Sequence, residues 1–141
     1  MECVFVVPGE PVAQPRVKAV NQGGFTRVYT PATAKPYKDA VRMVAMGHWR
    51  IPPCGGPVSV HINFLFPRPK SKTWKRRAMP RLPHAKKPDL DNLAKAVLDA
   101  LNGLVFGDDS QVVHLVLRKS YVAGDEEPHT VIVIKEVGDD A

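Results

Sequence analysis

A helix start that carries two carboxylates is the feature that most constrains the fold of this chain. The run 87–95 reads KPDLDNLAK, and Pro88 favours an extended entry that leaves Asp89 where a helix N-cap is expected. Apolar residues recur at helical spacing after this point, and Asn-Gly at 102–103 supplies a stop signal. The pattern therefore predicts an α-helix over about 90–102.

The geometry of this helix decides which acids can act together. Two helical residues that are two apart point about 200° from each other. Asp89 and Asp91 can therefore approach one ion only if Asp89 lies before the first turn, with non-helical dihedral angles. Asp91, Lys95 and Asp99 are four apart, so they form one polar stripe opposite the apolar one. This stripe is expected to face a cleft.

A second acidic pair, Asp108-Asp109, follows soon after the predicted helix, and two interpretations of the acids remain open. In the first, Asp89 caps the helix, Asp91 complements its dipole and pairs with Lys95, and the pair 108–109 is a solvated turn. In the second, the carboxylates hold a hard divalent cation that promotes attack on a phosphodiester. Lys95 then neutralises the charge that develops on the phosphate.

The kind of metal follows from the kind of ligand. Four clustered acids without a His or Cys companion favour Mg²⁺ over zinc, with Mn²⁺ as a substitute. The five histidines show no zinc spacing, and no glycine-rich phosphate loop is present, since Gly-Gly at 23–24 and 55–56 lacks a following Lys-Ser/Thr. We therefore expect no small-molecule cofactor.

The positive charge is concentrated in one segment, 67–87, which we call the basic segment. It holds nine of the 20 Lys and Arg side chains and no acid, so the other 11 are outnumbered by the 14 Asp and Glu. This distribution indicates a polyanionic partner, although a basic loop can also be a solubilising surface. Trp74 within it can stack on an exposed base. The candidate DNA contacts are Arg16, Lys18, Arg27, Lys72, Lys75, Arg76, Arg77 and Lys87.

The remaining patterns predict one α+β domain over 1–141, with a mixed sheet and two main helices packed on one face. The basic segment is rich in proline, so we expect a mobile loop there with one helical turn near 74–78. Residues 12–24 are expected to be a loop, and Thr30-Pro31 is expected to begin a helix that runs to about Trp49. The predicted strands are 3–7, 25–29, 58–66, 112–122 and 129–137.

No apolar run approaches the length of a membrane span, and the N-terminal residues read as a first strand rather than a signal peptide. Cys3 and Cys54 have neither metal-ligand spacing nor a disulfide pattern, so we interpret them as free thiols in a reducing compartment. The sequence thus predicts a cytoplasmic protein without a membrane partner.

The run 87–95, together with VLDALNG at 97–103 and DDSQV at 108–112, resembles the RusA-type crossover junction endodeoxyribonucleases, or Holliday junction resolvases. The segments 8–11 (PGEP) and 29–31 (YTP) also look like this family, whereas the basic segment is its least typical part. The resemblance implies that Asp89, Asp91 and Asp109 bind magnesium and that Lys95 assists catalysis. It also implies a homodimer, encoded by a bacterium or a phage, that makes paired nicks at a four-way junction.

The sequence therefore predicts a magnesium-dependent, structure-selective DNA endonuclease that resolves Holliday junctions during recombination and repair. A more general flap or branched-DNA nuclease is the alternative enzyme, and a non-catalytic branched-DNA-binding protein is the alternative from another class. The apolar strand residues in 112–122 or 131–137 are candidates for the dimer interface. The pattern does not assign roles to Asp99 and Asp108.

Overall fold

A computed structural model describes residues 2–138, so Met1 and residues 139–141 of the predicted domain lie outside the described chain. The two α-helices are α1 (Lys35–His48) and α2 (Leu90–Leu101). Short 3₁₀ turns cover Lys70–Lys72 and Asp109–Gln111. The strands are β1 (Glu2–Pro8), β2 (Lys18–Gln22), β3 (Phe25–Tyr29), β4 (Val58–Phe66), β5 (Leu82–Pro83), β6 (Val112–Tyr121) and β7 (His129–Glu136).

Five of the strands form a mixed sheet in the order β1-β7-β4-β6-β5, and β2 pairs with β3 in a separate hairpin. The strands β4 and β6 run parallel, whereas the other pairs are antiparallel. Parallel neighbours need a long crossover connection. That connection contains the basic segment and α2. The acids and the excess cations therefore lie on the same connection between β4 and β6.

Both helices pack on one face of the five-stranded sheet, as the sequence predicts. Phe5 in β1, Phe64 in β4 and Ile132 in β7 are buried in the core that also contains the apolar faces of α1 and α2. On the opposite face, Val4 and Val6 of β1 are each about half exposed (49% and 50%). The alternation of β1 therefore matches a sheet that is covered on one side.

The prediction of a loop over 12–24 is wrong, because β2 occupies Lys18–Gln22 and pairs with β3. The Gly23-Gly24 turn adopts positive φ at both residues (53° and 86°), which is the backbone that a tight hairpin turn requires. All ten residues of the two strands are exposed. The sequence of β2, KAVNQ, lacks the alternation of apolar and polar residues that would have indicated a strand.

The predicted start of the first helix is also wrong. The chain from Thr30 to Ala34 is not helical, and α1 begins at Lys35 with Ala34 as its N-cap and Pro36 in its first turn. The prediction chose Thr30-Pro31 because that pair has the ideal cap chemistry, whereas Ala34 has no capping side chain. Burial selected the later start, since Ala34 and Tyr37 lie in the core.

The helical turn in the basic segment lies at Lys70–Lys72 and not near Trp74, so that prediction is wrong as well. The expectation of no regular element is corrected by β5, in which Leu82 pairs with Tyr121 and Pro83 with Ser120. Arg68 explains part of this path. Its guanidinium donates to the carbonyls of Lys72, Pro80 and Val122, which draws the two halves of the segment together.

The other element predictions are confirmed to within about one residue, including the turn before β6. Among the described residues, Cys3 and Cys54 are both free. The helices within 2–138 are too short or too polar to cross a bilayer.

Candidate active site

The entry to α2 has the backbone geometry that lets two nearby acids act together. Asp89 is the N-cap and has extended dihedral angles (φ −74°, ψ 144°), while its carbonyl accepts the Leu93 amide at 3.1 Å. Its side chain makes no capping hydrogen bond. The structure therefore rejects the capping role that the sequence left open for this carboxylate. The Asp89 side chain is exposed, and so is that of Asp91 in the first turn.

A lysine from the sheet holds this entry in place. The Lys119 ammonium on β6 donates to the carbonyl of Lys86 at 2.5 Å and to that of Pro88 at 2.7 Å. The peptide between Lys87 and Pro88 is cis. Charged donors form stronger hydrogen bonds than neutral ones. Lys119 thus fixes the chain immediately before Asp89.

The polar stripe of α2 faces away from the core, as predicted. Lys95 is exposed one turn after Asp91, whereas Leu93 and Val97 are completely buried. Two turns along, Asp99 forms an ion pair with Lys38 of α1, with 3.5 Å between Nζ and Oδ2. This contact gives Asp99 a structural role in joining the two helices, and it leaves Asp91 and Lys95 as the free members of the stripe.

The two carboxylates of the acidic pair before β6 differ in their contacts. One caps a turn, and the other can bind a ligand. Asp108 caps the 3₁₀ turn in a capping box with Gln111, and it accepts the Ser110 hydroxyl at 2.8 Å. The hydrogen bond from Ser110, and after it the one with Asp109, lowers the pKa of Asp108. The Gln111 amide also donates to the carbonyls of Cys54 and Gly56, which anchors the turn. Asp109 is therefore the acid of the pair that can serve a ligand.

Negative charge surrounds Asp109. Partial desolvation raises the pKa of this carboxyl group, and so do Asp108 and, more weakly, Asp99, whereas the Lys95 ammonium lowers it. These couplings place Lys95, Asp99 and Asp109 in one electrostatic cluster, although Asp109 and Lys95 belong to different elements. A carboxylate repelled by its neighbours gains when a cation binds next to it.

The donor chemistry of this region fits a hard cation, since Asp89, Asp91 and Asp109 offer carboxylate oxygens only. Within residues 2–138, however, no three His, Cys, Asp or Glu side chains lie together in the arrangement of a metal cage. The structure thus supports the type of donor, and the assignment of these three aspartates as metal ligands stays a prediction.

Two adjoining clefts open beside the α2 entry. One, of about 380 Å³, is lined by residues 13–16, 87–89 and Asn92. The other, of about 580 Å³, shares Ala13, Lys87 and Pro88 with it and extends to Phe66, Arg68 and His84. Within the first, an Arg16 guanidinium nitrogen lies 3.8 Å from an Asp89 carboxylate oxygen. Asp89 and the start of the basic segment therefore border one groove that the two adjoining clefts form.

The predicted DNA contacts do not all lie together. Arg16 and Lys87 line the groove beside Asp89, Lys18 and Arg27 lie on the hairpin, and the other four lie in the basic segment. There, the Trp74 ring is in contact with two guanidinium groups, those of Arg77 at 3.8 Å and Arg68 at 4.7 Å from the ring centre. The Trp74 ring, which the sequence suggests for base stacking, therefore already contacts cations of its own chain.

Lys119 contributes to the geometry of this site, and the sequence interpretation did not indicate it. The signal for it was available, because Leu117, Lys119 and Tyr121 alternate along the strand on the side that faces the helices. A lysine at such a position needs a buried or half-buried partner for its charge. The partner consists of two backbone carbonyls, which the sequence does not reveal.

Comparison with known proteins agrees with this geometry. The family model described as Endodeoxyribonuclease RusA matches residues 8–135, which include every candidate catalytic residue and the groove. A Bacillus subtilis protein described as "Uncharacterized protein YqaN" is 39% identical over 143 residues, covering 97% of this chain and 99% of that protein.

Proposed function

Because the chain belongs to the RusA endodeoxyribonuclease family, a family of Holliday junction resolvases, we propose that it is a magnesium-dependent enzyme that cuts four-way DNA junctions. The observation that carries this proposal is a pair of exposed carboxylates at the α2 entry. Asp89 lines a cleft together with Arg16 and Lys87 and does not cap its helix, and Asp91 is exposed in the first turn of α2. Such an arrangement suits a phosphodiester better than it suits helix stability.

Arg16 and Lys87 are the residues of the groove that bind the DNA backbone. Both lie in the cleft that contains Asp89, and contacts to phosphate fix the position and orientation of a nucleic acid without reading its sequence. Arg16 releases Asp89 readily, since the 3.8 Å ion pair joins two exposed side chains and such pairs contribute little stability. DNA binding can therefore draw the guanidinium to a phosphate.

Asp89, Asp91 and Asp109 would hold the magnesium ion. When bound, the ion would polarise the scissile phosphate and lower the pKa of water. Lys95, exposed on the α2 stripe and close enough to Asp109 to lower the pKa of that carboxyl, would hold its ammonium towards the phosphate and stabilise the added negative charge. Lys119 would keep the Asp89 carboxylate in its productive position.

We also propose that the functional unit is a homodimer. A four-way junction has two-fold symmetry, and paired nicks require two equivalent acidic sites, whereas one chain offers one. Of the two candidate interfaces, β6 is the better one, because Val113, Leu115 and Val116 are 62%, 40% and 42% exposed. In β7, Ile132 and Ile134 are completely buried in the core of the single chain.

One cleavage assay tests the proposal. A synthetic mobile four-way junction and a flap of the same arm sequences are incubated with the protein in Mg²⁺, in Mn²⁺ and with a chelator. We expect symmetric nicks in the junction with either metal, little cutting of the flap, and no cutting with the chelator. Equal cutting of junction and flap would indicate a general branched-DNA nuclease. Tight junction binding without cutting in either metal would indicate a binding protein.

A further inference from the structure

The β2–β3 hairpin stands apart from the main sheet and carries two different faces. Its register pairs Lys18 with Tyr29, Val20 with Arg27 and Gln22 with Phe25, so these six side chains share one face. The other face carries Ala19, Asn21, Thr26 and Val28 and has no charge. Both cations of the hairpin and both of its aromatic rings therefore lie on the same side.

This cationic aromatic face is unoccupied by other parts of the described chain. Phe25, next to the turn, is 78% exposed and Tyr29 is 40% exposed. A shallow hollow of about 300 Å³ lies on this face, lined by Val20, Gln22, Arg27 and Tyr29. An aromatic ring so exposed contributes little to the core, which indicates that it serves a partner.

The charge around the hairpin favours an anionic partner. The hairpin, residues 18–29, contains Lys18 and Arg27 and no Asp or Glu. If two copies of the chain met through this face, Lys18 and Arg27 would approach the same cations of the second copy, and such like-charge contacts are unfavourable. Aromatic rings beside cations suit a single-stranded nucleic acid, since each unpaired base offers a flat surface and each phosphate a charge.

The hairpin also leads to the candidate active site. Arg16, two residues before β2, lies 3.8 Å from the Asp89 carboxylate and lines its cleft. A strand that follows the hairpin face towards its base therefore approaches Arg16 and the Asp89 carboxylate. We propose that this face binds unpaired nucleotides next to the cleaved phosphodiester, with Phe25 and Tyr29 stacking on bases and Lys18 and Arg27 contacting phosphates. This inference rests on the proposed function and identifies unpaired nucleotides as the part of the substrate that the hairpin face recognises.

The test measures affinity and uses the full chain with a chelator present, so that no cleavage occurs. Fluorescence anisotropy gives the Kd for an oligothymidine strand and for two junctions, one fully paired and one with unpaired thymidines at the branch. For Phe25→Leu we expect a loss of roughly tenfold or more in affinity for the two ligands with unpaired bases, since one stacked base contributes about that much. Phe25→Tyr should bind like the wild type, because it keeps the aromatic ring.

The matched control is Val28→Ala, which removes a 63% exposed side chain from the opposite face of the same hairpin. It should leave all three affinities unchanged. Wild-type affinity in Phe25→Leu would overturn the proposal, as would an equal loss in Val28→Ala. A shift from dimer to monomer in Phe25→Leu, measured by sedimentation, would assign the face to a second copy instead. A wild-type protein that binds none of the three ligands would refute the proposed function itself.

Discussion

The basic segment and the β2–β3 hairpin are both rich in cations, but the protein uses their charges differently. In the basic segment, Arg68 donates to three backbone carbonyls, and its guanidinium also lies over Trp74. Arg81 forms a two-bond ion pair with Glu126 at 2.8 and 2.5 Å. In the hairpin, Lys18 and Arg27 lie on an exposed face beside two uncovered rings.

The density of positive charge along a sequence therefore does not measure the charge available to a ligand. The basic segment holds nine cations, yet Arg68 and Arg81 hold its own backbone and a neighbouring loop together. The hairpin holds only two, and both are exposed. A cation that already donates to carbonyls or a carboxylate gains less from a phosphate, because it must first give up those hydrogen bonds.

The largest effect is expected from an acid at the α2 entry, which lies in neither cationic region. Asp91→Asn keeps the size of the side chain and removes a charge at the α2 entry, so cleavage of a four-way junction should be abolished. Junction affinity should stay within about twofold, because binding comes mainly from phosphate contacts elsewhere. Gel assays of cleavage in Mg²⁺ and of binding in Ca²⁺ measure the two effects. Near-normal nicking by this variant would contradict the metal-site assignment.

Lys119→Met should have the next largest effect, since it removes a cation that acts entirely within the protein. We expect kcat to fall roughly a hundredfold through misplacement of Asp89, while the Kd for the junction stays unchanged. Lys135→Met is the matched control, because Lys135 pairs with Glu2 at 3.2 Å on a distant strand pair. A parallel loss of kcat and DNA affinity would show that Lys119 contacts DNA directly.

Replacing Lys75, Arg76 and Arg77 by Ala tests whether the basic segment has free charge left for DNA. The slope of log affinity against log salt should fall by up to about 3, near 0.9 for each lost phosphate contact. Among the single variants, Arg77→Ala should change the slope least, since this guanidinium lies 3.8 Å from the centre of the Trp74 ring. An unchanged slope in the triple variant would mean that the segment points away from DNA.

The corresponding hairpin variants should lower the salt slope less in total than the triple variant does. Each substituted hairpin residue should nevertheless lower it by the full amount of one phosphate contact. Lys18→Ala and Arg27→Ala should each lower the salt slope by about 0.9, because neither charge is engaged in a salt bridge among residues 2–138. The same titration, run on the junction with unpaired thymidines, measures both. If these two variants bind with the wild-type slope while the triple variant does not, the basic segment and not the hairpin supplies the available cations.

The smallest expected effect concerns stability. The Arg81 hydrogen bonds lower the pKa of Glu126 from its ordinary value to about 2, so the pair stabilises the fold above about pH 4.5 and the contribution is lost as the pH falls towards 2. Glu126→Gln should therefore destabilise the protein by about 1 kcal/mol at pH 7, a figure reduced because Arg81 is 43% exposed.

Urea unfolding at pH 7 and at the lowest pH where the protein is still folded measures this difference. The gap between wild type and Glu126→Gln should narrow on acidification. Asp39→Asn is the control, since its pair with Lys35 is more exposed and should change the stability by only a few tenths of a kcal/mol. A gap that stays constant with pH would show that the ion pair is not the cause.

Local chemistry explains what the sequence alone determined. The apolar periodicity of 90–101, the stop at Asn-Gly and the proline before Asp89 were enough to predict α2 and the extended backbone of its N-cap. Alternation of apolar and polar residues predicted β4, and the predicted bounds of β6 and β7 are within one residue of the observed ones. The exposed strand β2 shows no such alternation, so the sequence did not indicate it.

Only the tertiary structure decided which of several similar residues is available to bind a ligand. Asp99 pairs with Lys38 and Asp108 caps a turn, whereas Asp91 and Asp109 form no salt bridge within residues 2–138. Lys119 reaches carbonyls more than 30 positions away in the chain, and Trp74 is covered by two guanidinium groups of its own segment. Each outcome depends on contacts between elements that are brought together by packing. Residue type and spacing determine what a side chain can do, whereas its neighbours in space determine whether it remains free to do it.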